Sequence, residues 1–114
     1  MPQKRKTKAR GYRVERKVRQ SFEMAGWKVI RASASFGEVD LVCLKKNKCI
    51  LLQVKSTKNK AFYYYGYKKD KLEGFPFFLV VDFGYGKIRI LQPKRKVTIE
   101  SGKALEDFLR KFKV

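Results

Sequence analysis

Asp40, Gln53 and Lys55 are polar residues inside two stretches of otherwise strand-like composition, 38–44 and 49–55. The link between these stretches, Lys45-Lys46-Asn47-Lys48, is short and polar, which predicts a β-hairpin. With Lys46 and Asn47 as a two-residue loop, Lys45 pairs with Lys48 and Leu44 with Cys49. Counting outward, Asp40 pairs with Gln53 and Glu38 faces Lys55. A register one residue away stays open, because the loop has no Asn-Gly signal. Side chains alternate along strands, so Glu38, Asp40 and Val42 share a face with Leu51, Gln53 and Lys55. The other face carries Val39, Leu41, Cys43, Ile50, Leu52 and Val54 and is wholly apolar. A carboxylate, an amide oxygen and a lysine at one end of a core strand pair suit phosphodiester hydrolysis. Carboxylate and oxygen ligands hold Mg²⁺, the ion activates water and neutralises phosphate charge, and a lysine positions water or stabilises developing charge.

Glu15 belongs with this group. In residues 11–25, Val14, Val18 and Phe22 recur every four positions, which predicts a helix with one apolar stripe. Gly26 follows as its stop. Glu15 lies three and seven residues before Val18 and Phe22, so it points toward the buried side. A carboxylate there costs free energy unless it is paired or bound to metal. Two readings stay open: Glu15 reaches the same cation as Asp40, or it pairs with Arg16, Arg19 or another base. Glu38 has a similar pair of readings, a further ligand or a salt bridge to Lys55.

The elements that must position these residues follow in order. Residues 1–10 read as a flexible basic arm, and 11–114 as one domain. Residues 27–31 read as a strand, 32–37 as a small polar loop, then come the two hairpin strands. Residues 56–67 are basic and aromatic and read as a loop leading to a short helix near 68–73. The apolar run 77–83 is a buried strand. Residues 84–86 turn, 87–91 return as a strand, and a last helix spans 103–113 after Ser101, with Leu105, Phe108, Leu109 and Phe112 as its apolar face. This order suggests an α/β sandwich around a mixed sheet.

Composition narrows the partners. The 114 residues include 29 Lys plus Arg against 10 Asp plus Glu, a net charge of +19, and 44% are hydrophobic. The chain is therefore globular, and its charge calls for a polyanion, with nucleic acid first. Neither a membrane-spanning run nor a secretory leader is visible, and Cys43 and Cys49 read as reduced thiols, so a cytoplasmic protein is expected. Histidine is missing altogether, which removes Ser-His and Cys-His nucleophile systems. Between Lys4 and Arg19 every charged residue is basic except Glu15. Arg10 and Arg13 in this segment, with Lys58 and Lys60 after the hairpin, are candidate phosphate contacts. The aromatic run 62–67 reads either as a stacking surface for unpaired bases or as a dimer face or core edge. The run 94–96 (Lys-Arg-Lys) is a solvated face or an outer phosphate contact.

Taken together, Glu15-Arg16, Arg31, the serine-containing loop 33–36, Gly37-Glu38-Val39-Asp40 and Gln53-Val54-Lys55-Ser56-Thr57 resemble the archaeal-type Holliday junction resolvases in order and spacing. These belong to the PD-(D/E)XK nucleases. The resemblance covers residues 10–57 and fits the rest in outline. It implies a restriction-endonuclease-like fold, a central mixed β-sheet flanked by helices. It implies a Mg²⁺-dependent endonuclease, Mn²⁺ substituting, that resolves four-way DNA junctions as a homodimer. The catalytic positions fall on Glu15, Asp40, Gln53 and Lys55, and the DNA-phosphate contacts on Arg16 and Arg31. The loop serine is Ser33 or Ser35. Two departures stand out. Gln53 replaces the usual Glu of the E-x-K pair, keeping an oxygen ligand without its charge, and Glu38 offers partial compensation. Val39 stands where proline is frequent. Gln53 also keeps two alternatives open: another PD-(D/E)XK nuclease of restriction or repair type, or an inactive DNA- or RNA-binding protein on the same fold.

Overall fold

The computed structural model describes residues 2–32, 39–65 and 75–111, with side chains from Tyr12 onward. The chain runs α1 (Pro2–Met24), β1 (Lys28–Arg31), β2 (Leu41–Lys45), β3 (Lys48–Ser56), β4 (Ala61–Tyr63), β5 (Phe77–Asp82), β6 (Ile88–Leu91), β7 (Lys96–Thr98), β8 (Lys103–Ala104) and α2 (Leu105–Lys111). Six strands form one mixed sheet in the order β1-β2-β3-β5-β6-β8. The β3–β5 pair is parallel and its other pairs are antiparallel. The β4–β7 pair is a separate antiparallel ribbon.

The hairpin has the expected register. Lys45 pairs with Lys48, Leu44 with Cys49 and Leu41 with Leu52. The turn closes without glycine because Lys46 accepts a left-handed φ of 52°. The apolar face of this hairpin, Leu41, Cys43, Ile50 and Leu52, is buried under the helices. Val14, Val18 and Phe22 of α1 meet it there, and Leu105, Phe108 and Leu109 of α2 join them. The Phe22 and Phe108 rings, 6.3 Å apart, connect the two helices. The opposite face of the sheet carries Leu79, Val81 and Leu91, and the ribbon covers it with Phe62, Tyr64 and Val97. Each face thus excludes water from apolar strand residues, which is the main source of stability here.

The C-terminal end of α1 is pinned to the hairpin. Gly26 takes φ 95°, the left-handed conformation that ends a helix. Lys45 then reaches over, donating to the Ala25 carbonyl at 2.9 Å, with its ammonium 5.7 Å from the Trp27 ring centre. A cation at a helix C-terminus is favourable. This clamp sets how far along the sheet Glu15 lies.

Three expectations are corrected. Residues 2–10, expected as an arm, are the opening turns of α1. Lys, Arg, Gln and Ala are good helix formers, and Pro2 suits a first helical position, so the helix continues where the apolar stripe stops. The stretch 56–67 contains β4, because Ala61–Tyr63 pairs with Lys96–Thr98 and buries Phe62 and Tyr64 against the sheet. The last helix begins at Leu105, since Lys103–Ala104 first pairs with β6. Arg89 draws this segment in, donating to the carbonyls of Ser101 and Gly102 at 2.9 Å each. The helix expected near 68–73 and the apolar residue Phe112 lie outside the described residues.

Candidate active site

Asp40 sits one residue before β2, and its backbone is fixed on both sides. Its N–H donates to the Leu52 carbonyl at 2.7 Å, and its carbonyl accepts from Ala32 N–H at 2.9 Å. Its side chain performs a backbone task as well. Asp40 Oδ2 accepts the Val54 N–H at 2.7 Å, a donor that β2, which begins at Leu41 opposite Leu52, does not reach. The Gln53 amide adds a second bond, Nε2 donating to the same oxygen at 3.3 Å. These contacts orient the carboxylate at the sheet end.

Gln53 is buried between two partners. Its Nε2 faces Asp40, and its Oε1 accepts from the Tyr64 hydroxyl at 3.4 Å. A half-turn of the amide exchanges these ends, and a tyrosine hydroxyl serves as donor or acceptor. Gln53 can therefore present oxygen on the Asp40 side without losing Tyr64.

Glu15 lies on the helix side of this end. Arg31, the last residue of β1, donates from Nε to Glu15 Oε1 at 2.7 Å. The base that bonds Glu15 is thus Arg31 of β1, and neither Arg16 nor Arg19, the two named from the sequence. Arg31 also stands 5.2 Å over the ring centre of Tyr12. The Asp40 carboxyl is pushed above its ordinary range, first by burial and further by the negative charge of Glu15. The Val54 N–H bond and the charges of Lys55 and Arg31 pull the other way. Glu15, Arg31, Asp40, Gln53 and Lys55 therefore share one locality, brought together from α1, the end of β1, the start of β2 and the end of β3.

The fit to a divalent cation can be judged from these groups. Among the described residues no three acidic, Cys or His side chains converge. The negative charge of Glu15 adds to the cost of ionising Asp40, and the buried Gln53 amide adds a neutral oxygen. A cation lowers that cost, so the donors suit one hard ion bound less tightly than by three carboxylates.

Other candidate residues surround this group. Arg13 and Arg16 are exposed on α1, and Lys58 and Lys60 are exposed just beyond β3. Lys58 also lines a cleft of about 530 Å³ with Ser56, Thr57, Asp82 and Tyr85. Arg10 is a position in α1 whose side chain is outside the described set, and Ser33, Ser35 and Glu38 are outside it altogether. Sequence reasoning missed two residues. Tyr12 lies three positions before Glu15, the spacing that places it on the same helix face. Tyr64 was hidden inside an aromatic run, with no signal pairing it to Gln53.

The family model described as archaeal Holliday junction resolvase (hjc) matches residues 6–90, which span the whole of this cluster. The chain belongs to that family. Among solved structures it resembles Hjc from Archaeoglobus fulgidus, described as a Holliday junction resolvase from an archaeal hyperthermophile, with a TM-score of 0.68. The match covers 90% of this chain and 98% of that one at 19% identity, a likeness that shows the fold. The mixed sheet with flanking helices is thus the restriction-endonuclease-like architecture the sequence implied. No curated protein matches the chain.

Proposed function

We propose that this protein resolves four-way DNA junctions by divalent-metal-assisted phosphodiester hydrolysis, with Mg²⁺ as the resident ion, Mn²⁺ as a substitute, and two copies acting together. One observation carries the reading: an oriented carboxylate, Asp40, shares the sheet end with Glu15, Gln53, Lys55 and Arg31 on a chain of net charge +19. Asp40, Gln53 and Glu15 would hold the ion, with Glu38 as an added carboxylate from outside the described residues. When bound, such an ion supplies a lowered water pKa and countercharge for the phosphate.

The remaining roles belong to the protein's own groups. Lys55 places a positive charge beside Asp40, where it can hold an attacking water or a phosphate oxygen. Arg31 and Arg16 bind flanking phosphates, and Arg10, Arg13, Lys58 and Lys60 extend the basic surface. In outline Ser33 or Ser35 adds a hydroxyl contact. Paired cuts on opposed strands call for two active sites, hence the homodimer. Tyr63, Tyr65 and Ile99 expose apolar surface around the β4–β7 ribbon and support an interface there. The free thiols Cys43 and Cys49 support a reducing, cytoplasmic setting.

The direct test is cleavage of labelled junction DNA by wild type and Asp40→Asn, in Mg²⁺, in Mn²⁺ and in EDTA. Cutting in either metal, lost in EDTA and lost in Asp40→Asn, is the expected result. Tight binding without cutting in any metal would leave a DNA-binding protein on a nuclease fold.

A further inference from the structure

Arg31 is held in a way that leaves half of its chemistry unused. Only Nε is engaged with Glu15, at 2.7 Å, and among the described residues the terminal guanidinium nitrogens make no hydrogen bond. The Arg31 side chain is 52% exposed against 19% for Glu15. Its outer edge therefore faces solvent, the geometry that takes a phosphate in two parallel bonds. A long arginine at the end of an edge strand ordinarily samples many rotamers. Here the Tyr12 ring lies beneath the guanidinium at 5.2 Å, and Tyr12 itself is 51% exposed with no place in the core.

We propose that Tyr12 is a positioning residue: its ring is the platform that keeps the Arg31 guanidinium at the active site, pairing it with Glu15 in the free protein and presenting it to a DNA phosphate in the complex. Tyr12 and Glu15 are three residues apart on α1, so platform and ion-pair partner sit on one helix face and hold Arg31 from two sides. A phosphate arriving at the terminal nitrogens then meets an arginine already in place. The inference rests on the nuclease reading for its substrate, but its physical content, a ring acting through Arg31, concerns DNA binding alone.

The test is a double-mutant cycle on equilibrium binding to four-way junction and to linear duplex, in EDTA so that neither cation nor cleavage enters. Tyr12→Ala should weaken binding about 3- to 5-fold, the scale of an exposed cation–π contact. Tyr12→Phe should bind as wild type does, since the ring is kept. Arg31→Ala should weaken binding at least as much, and Tyr12→Ala added to Arg31→Ala should cost nothing more. Melting curves should coincide for wild type and Tyr12→Ala. Additive losses, or a Tyr12→Phe as weak as Tyr12→Ala, would mean that Tyr12 touches DNA by itself and would overturn the proposal. So would a Tyr12→Ala that binds like wild type. If wild type prefers linear duplex, the junction reading fails while the cycle still decides the role of Tyr12.

Discussion

Asp40 carries two jobs that pull against each other. It closes the Val54 N–H, which is structural, and it presents a charge at a partly buried site, which costs stability. Its proton is held more tightly in the folded chain than in the unfolded one, so protonation favours the fold. That gain is complete below the ordinary carboxylate value and is lost as pH rises through the raised native value. At neutral pH in EDTA, Asp40→Asn should therefore melt a few degrees above wild type, because the amide oxygen still accepts from Val54 without the charge. The gap should close as pH falls through the acid range, and adding Mg²⁺ should stabilise wild type more than the variant. A variant less stable than wild type at pH 7 would contradict this view of Asp40. Gln53 belongs to the same balance. As an amide it donates to Asp40, where a glutamate would repel it. Gln53→Glu should lower the melting point in EDTA and regain it in Mg²⁺, with the Mg²⁺ needed for half-maximal cleavage falling roughly tenfold as ligand charge increases. Unchanged metal dependence would show that residue 53 is not a ligand.

At the scale of elements, the strongest patterns were those repeated along one segment. The hairpin register followed from β composition, a two-residue link and strict alternation, and it brought Asp40 beside Gln53 as counted. The stripe Val14, Val18 and Phe22 showed which side of α1 is buried, and hence where Glu15 lies. What stayed hidden depended on partners far apart in sequence. The three-residue strands β4 and β7 each pair with a segment more than thirty residues away, and neither has a pattern of its own. The bond from Arg31 to Glu15 crosses from one element to another, and a chain so rich in bases offers many equivalent partners. The first turns of α1 have no apolar stripe, so only propensity marks them as helix. Lys4, Arg5, Lys6, Lys8 and Arg10 give these turns five positive charges and no large apolar residue, a composition suited to DNA phosphates. Deleting residues 2–10 should leave the fold intact, since among the described side chains the buried stripe of α1 is Val14, Val18 and Phe22. It should lower DNA affinity and reduce the slope of log K against log salt by about 0.9 for each phosphate that is no longer neutralised. An unchanged slope would show that these turns do not meet the backbone of DNA.

For the whole molecule, the layers explain the site's position. Helices bury one face of the sheet and the β4–β7 ribbon buries the other, so polar groups gather where β2 starts and β3 ends, between the two covers. Glu15 enters from the helix layer, Tyr64 braces Gln53 from the ribbon layer, and Asp40 and Lys55 come from the sheet between them. A basic surface around such a site binds DNA of any sequence, and in the proposed dimer the placement of two sites would choose among DNA structures. Two copies acting together are proposed to cut junctions. The most direct measurement is to map the cuts that wild type makes in Mg²⁺ on a four-way junction labelled on each strand in turn, beside linear duplexes of the same sequences. Symmetric cuts on two opposed strands of the junction, with the duplexes left whole, are the predicted result. Equal cutting of the linear duplexes would contradict it and make the chain a nuclease of broader substrate.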